Sequence, residues 1–355
     1  AQAEETMGRY LHAMLRLLPA RSFPSKRIQS ILQGAAFGLG LATYFEAQRS
    51  KTSRCEDLEP LPSLVQRLPG GLRILDQVDW WEAAREVITA QKLKALLQSG
   101  GAKFYDAENY FVKTPMVALV AVGGLPLSFS DSSLQLRLGE LRVPVTLENL
   151  RSALRSQMGM TAMFSYLNRK GHEPEEMWKV VAELGHFSVG HAAHLSFVLV
   201  GHSCAVENEF NSQRDVVHLG RLTVARTRSQ KDPPLVVQRP ELLPVFKEIR
   251  NQVKAAILSR VADREKMESK DISIQDWQEA LYVGWPAAKA HVAVLTGSLR
   301  NLQKLVASID DEGKETEYRA LLWQIATACH LLLPDMFEDP SVKFKWRPPP
   351  HLLPD

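Results

Sequence analysis

Residues 185–217 read "GHFSVGHAAHLSFVLVGHSCAVENEFNSQRDVV", with His186, His191, His194 and His202 set around an apolar run that finishes in charge. How that run is read decides the fold class. Its unbroken apolar character is taken here as a helix over 188–201, one of a series predicted over 147–158, 174–184, 240–268, 274–308 with a break near Pro286, and 314–332. A further helix over 77–98, "QVDWWEAAREVITAQKLKALLQ", has apolar residues at helical spacing and stops before Gly100 and Gly101, which suit a C-terminal cap. Strands are expected as two or three segments between 115 and 146, where "MVALVAVGGLPLSF" is continuously apolar and Leu134, Leu136 and Leu138 alternate, and also near 159–167 and 215–225. The expected class is therefore α+β with helix dominant.

Composition bounds the rest. An apolar fraction of 45% over 355 residues is that of a chain that buries a core. With 43 Lys and Arg against 40 Asp and Glu, the net charge is +3. That produces no large basic field, so a nucleic-acid polymer is not an expected partner. Cys55, Cys204 and Cys329 are far apart and lack metal-ligand spacing, which points to a reducing compartment without a disulfide framework. His186, His191 and His194 fall at i, i+5 and i+8, not at the i, i+4 spacing that sets two imidazoles side by side, and no metal is expected.

Four regions follow in order. Residues 1–50 carry a basic segment, "GRYLHAMLRLLPARSFPSKR", and then "IQSILQGAAFGLGLATYF" over 28–45, which no charge interrupts. With Ala1 first, the expectation is a processed product whose targeting segment has been removed. Eighteen residues of helix reach about 27 Å, close to the roughly 30 Å of a hydrocarbon core. Gly34, Ala35, Ala36, Gly38 and Gly40 suit close helix contact in lipid. Hence 28–45 is expected to be a single membrane-spanning helix with the bilayer as partner, and a buried soluble helix is its alternative. Residues 51–150 are read as linker, helix and short strands, 151–338 as the main domain, and 339–355 as a tail whose Pro348, Pro349 and Pro350 exclude a helix and leave it in solvent.

"MTAMFSY", "AELGHFSVGHAAHLSFVLVGHS", "ALYVGWPAAKAHVAVLTGSLRN" and "LLPDMF" follow one another with the order and rough spacing of the flavin-dependent thymidylate synthases, a resemblance covering about residues 159–337. In that family a Gly-His-x-Ser, Glu-His segment opens a helix beside the flavin. Gly185, His186, Ser188 and His191 resemble it, with Gly190 where the Glu is expected. Gly284, Pro286, Ala290 and His291 resemble a later segment, with His291 in place of an arginine. Thr296, Arg300 and Asn301 are similar to the part that helps hold flavin and nucleotide. The most specific motif, Arg-His-Arg followed by Ser-x-Arg, is broken: Ser212 and Gln213 replace its first two members, Arg214 matches the last, and Thr223 and Arg226 are loose stand-ins.

The resemblance implies FAD beside His191, Arg214, Arg300 and Asn301, and a nucleotide phosphate on Arg214 and Arg226, where the site is retained. A dianionic phosphate needs several guanidinium donors in fixed forks, at roughly 1.5–3 kcal/mol each, so losing two or three weakens binding by orders of magnitude. The expectation is a pseudoenzyme: no catalytic residues, no cofactor, and a structural or accessory role beside other subunits of an organellar membrane complex. The mitochondrial inner membrane is favoured and a plastid membrane is the alternative. The competing expectation is an active synthase that methylates dUMP or a related nucleotide using FAD.

Overall fold

The computed structural model describes residues 63–68, 71–76, 90–106, 110–130, 133–139, 141–165, 173–213, 217–221, 233–266 and 287–354, all of them within the unit Leu58–Asp355. They build an α+β fold on a nine-stranded, mostly antiparallel sheet. Its path runs β10 (His218–Arg221), β12 (Ala290–Ser298), β9 (His194–Ser203), β5 (Met116–Val122), β6 (Leu125–Ser130), β7 (Ser133–Leu138), β8 (Leu141–Pro144). β2 (Arg73–Leu75) joins β5 in parallel and carries β1 (Val65–Arg67). A smaller sheet orders β11 (Leu235–Val236), β4 (Phe111–Thr114) and β3 (Lys103–Phe104).

This architecture corrects the helix-dominated fold class. The run expected as a helix over 188–201 is a 3-10 turn, Phe187–His191, followed by the strand β9. The end of the helix expected over 274–308 is likewise the strand β12, followed by the short helix α6 (Leu299–Val306). The physical reason is burial of both sheet faces. Leu195, Phe197 and Leu199 of β9 join one apolar cluster, while Val198 and Val200 join the cluster on the other face. Such a strand has no polar side, so it loses the alternation that identifies strands and cannot be told from a buried helix by pattern alone. The strand expected near 159–167 is instead the end of the helix α2 (Leu147–Ser165). No helix among the described residues is long and apolar enough to cross a membrane. The segment 28–45 lies outside the described residues.

One face is covered by α2, α3 (Pro174–Glu183), α6 and α7 (Thr316–Leu332), with Trp178 and Tyr318 fully buried beneath them. On the other face α1 (Ala90–Ser99) supplies Leu93, Leu96 and Leu97. α2 begins with a reciprocal cap, in which Thr146 N donates to Asn149 Oδ1 (2.9 Å) and Asn149 N donates to Thr146 Oγ1 (3.1 Å). α3 begins with a capping box between Glu173 and Glu176 and has Pro174 at its first position. Buried Gln324 of α7 accepts from Val117 N (2.9 Å) and donates to Pro115 O (3.1 Å), which fixes α7 to the start of β5. α4 (Cys204–Ser212) leaves the end of β9, and α5 (Leu243–Lys266) packs Leu243, Phe246 and Val253 against the smaller sheet's Phe111, Leu235 and Val237.

The 339–355 tail is corrected as well. Residues 340–343 form the short helix α8 (Pro340–Lys343) and residues 350–352 a 3-10 turn. Between them Lys345 N (3.0 Å) and Trp346 N (2.8 Å) donate to the Asp310 carboxylate. Proline excludes a long helix but not a bonded extended path: Thr114 Oγ1 donates to His351 O (2.6 Å), Arg73 donates to Pro354 O (3.1 Å), and Leu352 is buried.

Candidate functional site

A bulge aims the first candidate cluster. On β9 and β12, Val200 pairs with Val292 and His202 with His291, so Gly201 is the extra residue between two registers. Its φ of +76° lies in the left-handed region, and a Cβ there would stand 3.0 Å from Ala102 Cβ. The bulge places His202 beside His291, and both face Glu207 from α4. His202 Nε2 lies 3.3 Å, and His291 Nδ1 3.1 Å, from Glu207 Oε1. His202 and Glu207 are wholly buried and His291 nearly so, and neither imidazole is aligned for a hydrogen bond to Glu207 Oε1.

Electrostatics follow from that enclosure. Burial pushes the Glu207 carboxyl up, but the two histidines beside it overcome this and hold it at about 2. Burial lowers His202 against the pull of Glu207, so its imidazole is neutral at neutral pH. Lys289, the residue before β12, is buried and lowered to about 8 by desolvation, with Cys204 and Glu207 opposing. The cluster is a sealed charge network at one end of the sheet. No group of three His, Cys, Asp or Glu among the described residues is arranged to hold a metal ion.

The residues expected beside a flavin form a second group. His191 ends the 3-10 turn, with Nδ1 3.2 Å from Ser298 Oγ, and Ser298 caps α6 by accepting from Asn301 N (3.2 Å). Arg300 donates to Gln303 Oε1, and Gln303 donates to Met336 O (3.1 Å). Burial, then Lys304 and Arg300, lowers the exposed His191. The fold therefore brings His191, Arg300 and Asn301 to one place, although Asn301 is held there through its backbone. Thr296 lies within β12, its hydroxyl 2.9 Å from Ser196 Oγ across the strand pair. Arg214, Thr223 and Arg226 lie outside the described residues, as do Gly284 and Pro286.

Gly190, where the resembling motif has Glu, is fixed by packing. A Cβ there would lie 2.8 Å from the flexible end of Met336 and 3.2 Å from Arg300 N, so a side chain would require Met336 to move and the turn and the start of α6 to shift slightly apart. Of the expected flavin and phosphate donors, the described residues supply one guanidinium, that of Arg300, and it is engaged by Gln303. A flavin diphosphate or a nucleotide phosphate needs several such forks, and the other expected guanidiniums, Arg214 and Arg226, lie outside the described residues.

A third feature left no sequence signal. Glu317, in the first turn of α7, is wholly buried; its carboxyl accepts from Ser203 N (2.7 Å) and from Gln238 Nε2 (3.1 Å). Burial pushes it up to about 7, with those hydrogen bonds opposing and Glu315 adding to the rise. Gln238 O in turn accepts from His351 Nε2, which must carry the proton because a carbonyl only accepts. Beside this relay opens a cleft of about 540 Å³ walled by Gln238, Arg239, Thr316, Trp346, Pro349 and His351. In sequence, Glu207 and Glu317 look like ordinary exposed helix glutamates, because only tertiary packing buries them.

No known family model and no curated protein matches this chain.

Proposed function

We propose that the chain is a non-catalytic structural or accessory subunit of a larger organellar protein complex, a pseudoenzyme whose thymidylate-synthase-like motifs persist without the charge that would hold a nucleotide. One observation carries this reading: among the described residues, a sheet edge that no further strand covers and that presents apolar side chains. β8 ends the path of the large sheet and is exposed along most of its length, with its Leu141 60% exposed and Leu138, at the end of the neighbouring β7, 47% exposed. Unpaired strand groups beside exposed leucines are what a partner covers, and they are an association hazard in a free chain. The exposed Phe164, Met160 and Leu184 at the ends of α2 and α3 add a second apolar region. The titratable groups support the same reading, since Glu207, His202 and Glu317 are sealed from solvent and His191 and Arg300 are engaged by neighbours. The basic N-terminal segment supports an organellar setting, with the mitochondrial inner membrane favoured and other subunits of that complex as the partners.

Isolation of the native protein in mild detergent tests this reading. The expected preparation is colourless, takes up no added FAD, does not bind dUMP, and migrates with other chains. A yellow, free homo-oligomer whose flavin band is bleached by reduced nicotinamide in the presence of dUMP would overturn it.

A further inference from the structure

The last sixteen described residues are tied down at both ends of their course. At the outer end, Asp310 accepts from Lys345 N and Trp346 N, and the Arg319 guanidinium lies 4.4 Å from the Trp346 ring. Arg347 lies 5.2 Å over Trp323, and the two indoles meet edge to face at 6.4 Å. These contacts are charge-assisted and aromatic, and solvent reaches several of them. At the inner end, Arg73 donates to Pro354 O (3.1 Å), and beside it a relay of hydrogen bonds runs from Thr114 to His351, from His351 to Gln238, and from Gln238 to the buried carboxyl of Glu317. The cleft opens against that relay and is walled in part by Gln238 and His351 themselves. Water in the cleft is therefore separated from Glu317 by the strap's own anchoring groups.

We propose that residues 339–354 are a displaceable strap closed over Glu317 through Gln238 and His351, and that the inner end of the strap opens when Glu317 loses its proton. With the strap closed, the neutral carboxyl is satisfied by two donors in a dry site. The carboxylate in that site has the same two donors and no cation among its bonded partners, which leaves a buried charge undercompensated. Opening the strap at His351 lets the cleft reach Glu317 and solvates the anion. Glu315 on its own helix is the charged group that acts on it, the end of β9 contributes the Ser203 N–H, and the cleft beyond Gln238 is lined by Arg239 and Glu241 ahead of α5 and by Arg347 and His351 on the strap.

The sign follows from linkage. The closed form holds Glu317 at about 7, against an ordinary value of 4.5 once water reaches it. The closed strap is thus favoured fully below 4.5. The closed-to-open ratio falls about tenfold per pH unit between those values and levels off above 7. This device is independent of the subunit role proposed above.

Amide hydrogen exchange on the full-length chain between pH 5 and 8.5, expressed as protection relative to the intrinsic rate at each pH, reads it out. The Leu352 and Leu353 amides, bonded to Pro349 O and Pro350 O, should lose protection by one to two orders of magnitude on going from pH 5 to 7.5, while β9 amides keep theirs. Glu317→Gln, neutral at every pH, should hold the strap protected throughout. Should that variant fail to fold, His351→Ala serves instead: it should lower strap protection at every pH without touching β9. Protection that is independent of pH in the wild type, a pH dependence that survives in Glu317→Gln, a strap indifferent to His351→Ala, or an equal loss in β9 would each overturn the proposal.

Discussion

Glu207 shows how one residue can be held as an anion with no access to water. Its carboxylate is wholly enclosed, yet the two imidazoles on the bulged strand pair keep it near 2 and not at the 4.5 of a free side chain. A group held below its ordinary value stabilises the fold fully above pH 4.5 and loses that contribution as the pH falls through about 2. The gap between those values, at about 1.4 kcal/mol per pH unit, sets a ceiling on the order of 3 kcal/mol. Glu207→Gln should therefore lower the free energy of unfolding in urea by about 2–3 kcal/mol at pH 7. The difference from wild type should shrink as the pH is lowered from 4.5 toward 2. A difference that stays constant over that range would assign the loss to packing and remove the charge from the account.

At the scale of elements, the layer covering the sheet depends on one close crossing. Gly159, in the second half of α2, faces the start of α3 so closely that a Cβ would lie 1.6 Å from Pro174 O and 3.1 Å from Trp178 N. Both atoms belong to backbone and cannot rotate away, so the helices must separate. Trp178, Met177 and Val181 would then lose part of their burial against α2 and the core. Gly159→Ala gains about 1 kcal/mol of helix propensity and should still destabilise by more than about 3 kcal/mol, because the lost packing is larger. Thermal unfolding followed by near-ultraviolet circular dichroism checks this through the Trp178 signal, and an unchanged midpoint would contradict the crossing. This level of structure was partly legible in the sequence. α3 and α7 follow their apolar spacing and start signals, and the alternating leucines mark β7. β9 and β12 were not legible as strands, since apolar side chains on both faces erase the period that separates strand from helix. His191, Arg300 and Asn301 were found through motif spacing, whereas the burial of Glu207 and Glu317 depends on residues more than eighty positions away and leaves no local mark.

For the molecule as a whole, the question is what an open edge of this sheet is for. The sheet is covered on both faces over β5, β9 and β12, but cover runs out toward β8, where Leu141 projects into solvent. An exposed leucine contributes little to the stability of its own chain. In a subunit interface it would be buried at roughly 25 cal/mol for each Å² of apolar area, and a lysine there would instead blunt strand-to-strand association. Leu141→Lys should therefore change the unfolding free energy of the isolated chain by no more than about 0.5 kcal/mol. The same substitution should reduce its recovery with the native assembly by about tenfold or more, the consequence of losing at least 1.4 kcal/mol at the contact. Quantitative isolation of the assembly from cells expressing tagged wild type or variant measures this, with the isolated chain's urea midpoint as the control. Equal recovery of the two would place the partner elsewhere, with the exposed Phe164 at the end of α2 the next position to alter.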